Sequence, residues 1–191
     1  MAQEIEIEYK TLLTKQEYNT LLQALNFPIK GIQQRNYYFE TKNFTLKSYH
    51  SALRIREKKG HYTLTLKEPH KEGILETHDD LSKTEFMQWT NGQPKATRNV
   101  SAQLEHLQVS VQDLYYFGSL TTERREFIDN KITFVLDKSS YNGIVDYELE
   151  IEAPSQAAGI KVFHDTLQHY SVQKQEPITK IERFFSSLPQ Q

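Results

Sequence analysis

The sequence predicts an α+β protein built on an antiparallel sheet, with helices packed on the outside of the sheet. Hydrophobicity alternates with period two over eight separate stretches, which places successive side chains on opposite faces of a strand. Tight-turn dipeptides join several of these stretches directly, as antiparallel neighbours require, and segments of helical spacing with capping signals interrupt the series.

Taken in order, the strand candidates are residues 4–10, 34–40, 51–58, 61–67, 73–80, 120–128, 131–137 and 144–152. In the first, charged residues alternate with Ile5, Ile7 and Tyr9. In the second, Gln34, Asn36, Tyr38 and Glu40 alternate with Arg35, Tyr37 and Phe39. Lys59-Gly60 and Asp129-Asn130 read as hairpin turns. Helices are expected after Thr14 and after Ser82, where a hydroxyl is followed three residues on by Glu17 or Glu85 in a capping box. Tyr18, Leu21, Leu22 and Leu25 follow the first box at helical spacing. A third helix is expected from Ser155 to about residue 170, burying Val162, Phe163, Leu167 and Tyr170. The segment from Ile178 to Leu188 carries an apolar face of Ile181, Phe184, Phe185 and Leu188 that should dock, and 91–99 reads as a loop.

With 191 residues, 37% hydrophobic and 12% aromatic, the chain can bury a substantial core, and no linker divides it, so a single domain over 1–191 is expected. The 23 basic and 25 acidic residues give a net charge of -2, which supplies no global field for nucleic acid or an anionic membrane. Any attraction for an anion must be local. There is no cysteine, so disulfide and thiolate chemistry are excluded. No basic segment followed by an apolar one opens the chain and no run is long enough to span a bilayer, so the expected location is cytoplasmic.

The polar faces of the strands carry the chemistry. Residues 4–10 line up Glu4, Glu6, Glu8 and Lys10, and residues 144–152 line up Asp146, Glu148, Glu150 and Glu152. Arg54, Arg56 and Lys58 form a basic row, with Thr63, Thr65 and Lys67 on the next strand. Aligned like charges repel unless they are neutralised. Two arrangements accommodate them: faces turned to water with Glu paired to Arg or Lys across strands, or a sheet closed on itself with the charged faces inward. Closure turns the repulsion into a site. Carboxylate rows supply the hard oxygen ligands that Mg²⁺ or Mn²⁺ prefers, and guanidinium forks grip phosphate oxygens. Arg54 and Arg56 are the main expected phosphate clamps, with Arg124 a third and its neighbour Arg125 facing the other way. Lys10, Lys67 and Lys180 would act as point charges along a polyphosphate.

These residues resemble the CYTH superfamily, or triphosphate tunnel metalloenzymes, and among them the small stand-alone proteins of Gram-positive bacteria. The resemblance rests on Glu6-Ile7-Glu8-Tyr9-Lys10, which matches the Glu-x-Glu-x-Lys hallmark. After it come Tyr37-Tyr38-Phe39-Glu40-Thr41, Leu53-Arg54-Ile55-Arg56, Thr63-Leu64-Thr65-Leu66-Lys67, Glu76, Arg124, Asp137, Tyr147-Glu148-Leu149-Glu150 and Lys180. It implies a closed eight-stranded antiparallel β-tunnel. It further implies that Glu6, Glu8, Glu148 and Glu150 bind one or two divalent cations, assisted by Glu76 and Asp137, and that Lys10, Arg54, Arg56, Lys67, Arg124 and Lys180 hold the triphosphate. Glu76, Lys10 and Lys180 are the expected catalytic residues. Glu4 and Glu152 extend both acidic rows by one step, so which pair in each row meets the metal stays open, and Glu40 stands where the family commonly has Asp.

The expected function is hydrolysis of a phosphoanhydride bond of inorganic triphosphate or a related compound, with Mg²⁺ or Mn²⁺ as cofactor and a small-molecule triphosphate as partner. A class IV-type adenylate cyclase and a non-catalytic polyphosphate or nucleotide binder are the alternatives. Nucleic acid and membrane partners are not expected; a monomer or homodimer is. The seven histidines form no helical pair with zinc spacing, and no Gly-rich phosphate loop precedes a helix.

Overall fold

Alternation governs the molecule. The computed structural model describes residues 2–175 and 178–188. Its strands are β1 (Gln3–Glu6), β2 (Glu8–Leu13), β3 (Ile32–Thr41), β4 (Ala52–Lys58), β5 (His61–His70), β6 (Gly73–Leu81), β7 (Leu114–Asp129), β8 (Ile132–Tyr141) and β9 (Ile144–Glu152). The helices are α1 (Lys15–Ala24), α2 (Thr45–Ser48), α3 (Lys83–Thr90), α4 (Val100–His106), α5 (Gln156–His169) and α6 (Lys180–Ser186). The sheet order is β1-β6-β5-β4-β3-β7-β8-β9-β2. The α+β class and the antiparallel pairing are as expected, but the described residues form nine strands where eight were anticipated. The acidic stretch 4–10 breaks at Ile7, and β1 and β2 lie at opposite ends of the order.

The chain forms two compact units, Met1–Ile5 with Gln34–Leu120 and Glu6–Gln33 with Thr121–Gln191. In the first, α3 and α4 lie on β5 and β6, over a core containing Phe39, Leu53, Ile55, Leu64, Leu66, Trp89 and Leu104. Trp89 meets Phe39 edge to face with ring centroids 5.2 Å apart. In the second, α1 and α5 lie on β2 and β9, over Leu13, Leu21, Phe134, Leu136, Leu149, Ile151 and Phe163. Helices thus take the apolar face in each unit, and the charged residues alternate onto the other.

Local chemistry sets the connections. Thr14 with Glu17 and Ser82 with Glu85 form the expected capping boxes, and Thr179 with Glu182 forms a third at the start of α6. Type I′ hairpin turns need positive φ at both central residues: Lys59-Gly60 (53° and 79°) joins β4 to β5, and Asn142-Gly143 (45° and 79°) joins β8 to β9. The turn expected at Asp129-Asn130 sits one residue later, at Asn130-Lys131 (49° and 66°).

Gly118, at φ 137°, shifts the phase of β7. Tyr116 packs on Tyr37 and Phe39, with centroids 6.0 and 5.7 Å away. Ser119 accepts a 2.8 Å hydrogen bond from Arg35 Nε, whose guanidinium lies over the same Tyr37 ring. Residues 116 and 119 therefore share a face, one step out of regular alternation. Downstream, Arg125 turns toward α1, where it donates to the Tyr18 hydroxyl at 2.7 Å, and Arg124 takes the opposite, charged face.

Candidate active site

In the first unit, strand register assembles a basic row. Tyr38, Arg54, Thr65 and His78 are successive partners across β3, β4, β5 and β6, and Asn36, Arg56, Thr63 and Asp80 form the parallel row beside them. Lys67 pairs with Glu76. Glu76 is 5% exposed and is ion-paired to Lys67, with Arg54 Nη2 at 4.0 Å and His78 Nε2 at 3.5 Å. His78 also reaches Glu4 at 3.3 Å, and its Nδ1 lies 3.0 Å from the Thr65 hydroxyl. A hydroxyl donating to Nδ1 leaves an Nε2–H to donate to the carboxylates, an assignment that satisfies all three contacts. Arg56 Nε donates to Asn36 Oδ1 at 3.0 Å, which orients its fork. Glu40 serves the fold instead. Its carboxylate accepts from the backbone N–H groups of Thr41, Leu46 and Lys47 and fastens the start of α2.

In the second unit the carboxylates gather. Arg124, Asp137 and Glu148 are successive partners across β7, β8 and β9, while Glu150 faces Lys10 and Glu152 faces Glu8 across β9 and β2. Tyr9 points the other way, onto α5, where its hydroxyl donates to the Gln156 carbonyl at 3.1 Å. Gly159 of α5 makes that approach possible, since a Cβ there would stand 2.5 Å from the Tyr9 ring. The hallmark strand is thus fixed by its apolar side with Glu8 and Lys10 on the other.

Asp137 is wholly buried and receives Arg124 in a two-pronged pair, Nε at 2.9 Å and Nη2 at 2.7 Å. Arg124 Nη2 also lies 2.7 Å from Glu150. Lys180 Nζ lies 3.0 Å from Asp137 and 2.5 Å from Glu150, and contacts Glu148. Lys10 is ion-paired with Glu8. Burial pushes the Glu148 carboxyl up to about 7, against the pull of Lys180. Burial acts on Glu150 too, but Lys180 and Arg124 outweigh it and hold that carboxyl well below the usual range. Burial, followed by the negative charge of Glu6 and Glu150, pushes Glu152 up to about 7. Asp137, Glu148 and Glu150 each offer an oxygen within 4.8 Å of the others, a hard oxygen set that fits Mg²⁺ or Mn²⁺.

The structure therefore places Arg54, Arg56, Lys67 and Glu76 together in the first unit. Glu8, Lys10, Arg124, Asp137, Glu148, Glu150 and Lys180 come together in the second, with Glu6 near Glu152. Two participants escape a sequence reading. Arg183, three residues after Lys180, pairs with Asp146 and Glu148, each at 2.9 Å. Asn36 holds Arg56. Helical i, i+3 spacing was the available signal for Arg183.

In each unit the strand face opposite the apolar core pairs carboxylates with guanidinium and ammonium groups. The CYTH domain matches residues 4–185, and the chain belongs to the CYTH family. It is 44% identical over 186 residues to YjbK of Bacillus subtilis, a protein named as a candidate triphosphatase, covering 97% of this chain and 96% of that one. A Bacillus halodurans protein described as a candidate adenylate cyclase superposes with a TM-score of 0.90 at 39% identity, covering 97% of this chain and all (100%) of the other. The Hippeastrum protein HpAC1, described as a candidate adenylyl cyclase with a dominant triphosphatase activity, has the same fold: TM-score 0.79, 22% identity, 95% and 96% coverage. Among the described residues no helix is long and apolar enough to cross a membrane.

Proposed function

We propose that this protein is a divalent-metal-dependent triphosphatase that hydrolyses a phosphoanhydride bond of inorganic triphosphate or a related triphosphate. The observation that carries the reading is the buried Asp137, Glu148 and Glu150 cluster beside Arg124, Lys10 and Lys180, in a CYTH chain 44% identical to YjbK. Arg54 and Arg56 are forks suited to phosphate oxygens, Asn36 fixing one of them, and Lys67 adds a point charge. Lys10, Arg124 and Lys180 neutralise charge as the leaving phosphate departs. Glu76, buried among Lys67, Arg54 and His78, would orient a water and accept its proton, with the His78 Nε2–H steadying the carboxylate. Glu6, Glu8, Glu148 and Glu150, with Asp137, would hold Mg²⁺ or Mn²⁺. When bound, the cation supplies Lewis-acid stabilisation of the phosphate oxygens.

The name carried by the Bacillus halodurans relative favours a second reading, cyclisation of ATP. Both are tested together by incubating purified protein with inorganic triphosphate, thiamine triphosphate or ATP, each with Mg²⁺ or Mn²⁺. Phosphate release supports hydrolysis. Cyclic AMP formation without phosphate release would replace it with the cyclase reading, and tight binding without turnover would leave only a binder.

A further inference from the structure

An ammonium group carries three donors, and the three carboxylates of the second unit supply three acceptors to one of them. Lys180 Nζ is 3.0 Å from Asp137 Oδ2, 2.5 Å from Glu150 Oε1 and in contact with Glu148 Oε1. These are the residues whose oxygens, within 4.8 Å of one another, make up the candidate cation site. The Lys180 head group therefore sits where a hard cation would sit, and the two cannot share the position.

The arrangement of α6 allows one to leave without unseating the other end of the helix. Lys180 is the first residue of α6, on a flexible four-carbon stem. Arg183, one turn on, holds the helix through Asp146, outside the pocket, at 2.9 Å and through the other oxygen of Glu148, Oε2, at 2.9 Å. Phe184 is buried against Tyr141, and Ser187 accepts from Asn142 at 2.9 Å. The charges favour an exchange as well. Among the described residues, the carboxylates of Asp137, Asp146, Glu148 and Glu150 each lie within 3.0 Å of Arg124, Lys180 or Arg183. Adding a divalent ion beside the ammonium would set two cations in one pocket, whereas exchange keeps one.

We propose that Lys180 is the resident cation of the Asp137, Glu148 and Glu150 pocket and yields that place to the divalent ion. Its ammonium is thereby released to the phosphate groups of the substrate while Arg183 keeps α6 docked. The inference rests on the metal-site reading given under the proposed function. It adds an order: the lysine becomes a phosphate ligand only once a metal has taken its carboxylates.

Mn²⁺ alone, without any triphosphate, tests it. Lysine footprinting of the wild-type protein with an amine-reactive acylating reagent, read by mass spectrometry, should show Lys180 reacting slowly in EDTA and at least tenfold faster with saturating Mn²⁺. In calorimetric titration, Lys180→Met should bind Mn²⁺ at least tenfold more tightly than the wild type, because no internal cation has to leave. Mn²⁺ binding with unchanged or slower Lys180 labelling overturns the exchange and leaves the metal site standing, as does unchanged or weaker binding by folded Lys180→Met. Absence of Mn²⁺ binding in both proteins removes the metal reading, and the exchange with it.

Discussion

Glu152→Gln removes one carboxylate from the most crowded acidic position in the second unit. Glu152 faces Glu8 across the β2–β9 pair and feels Glu6 and Glu150. Burial and these neighbours raise its carboxyl from an ordinary 4.5 to about 7. Between those pH values the folded chain keeps a proton that the unfolded chain has released. The contribution of this group to stability is therefore complete below about pH 4.5 and is lost as pH rises through about 7. At about 1.4 kcal/mol per unit, the loss is at most about 3.5 kcal/mol. Solvent reduces it, because 27% of the side chain is exposed. Urea denaturation between pH 4 and 8 in EDTA should show the wild type falling more steeply across this window than Glu152→Gln, by about 1–3 kcal/mol. Glu148 contributes a similar slope to both proteins, so the difference isolates Glu152. Saturating Mg²⁺ should flatten the wild-type slope by neutralising the row. Identical slopes in the two proteins, or a wild type that gains stability relative to the variant from pH 4.5 to 7, would overturn this view of the acidic row.

Three other outcomes follow from the packing and the ion pairs. Asp137→Asn leaves Arg124 and Lys180 short of their buried partner and should cost about 3 kcal/mol, a fall in Tm of about 6–12 °C by calorimetry. An unchanged Tm would mean that the pair is dispensable. Gly159→Ala should destabilise by about 1 kcal/mol, since the contact with Tyr9 at 2.5 Å outweighs the gain in helix propensity; a stabilised variant in urea titration contradicts that packing. Arg54→Ala should lower the rate of phosphate release by about 10²–10³-fold with unchanged circular dichroism. A loss confined to KM would instead show that Arg54 grips ground and transition states alike.

Much of this was legible in the sequence because alternation reports directly on which face a side chain takes. The faces of Glu6, Glu8 and Lys10, of Arg54 and Arg56, and of Glu148 and Glu150 follow from period two alone. What alternation cannot report is a change of phase or a break. Ile7 divides the acidic stretch into two strands with different partners, and Gly118 shifts β7 by one position, so facing could be carried along 114–129 only with the structure in hand. Short helices were invisible for a related reason. α2 has four residues and α4 has seven, too few for a helical period to declare itself, and α2 is fixed by Glu40 rather than by its own composition. Arg183 was passed over because its partners Asp146 and Glu148 lie some 35 residues away in the chain, a pairing that tertiary structure alone creates.

The proposed hydrolysis depends on a divalent cation held by carboxylates of the second unit. Its decisive test is phosphate release from inorganic triphosphate, measured for the wild type and Glu150→Gln across a Mn²⁺ titration. No release is expected in EDTA, with saturable release in Mn²⁺ for the wild type and near-total loss in a folded Glu150→Gln. Release that persists in EDTA, or a Glu150→Gln enzyme with the wild-type Mn²⁺ dependence, would contradict the metal-dependent reading.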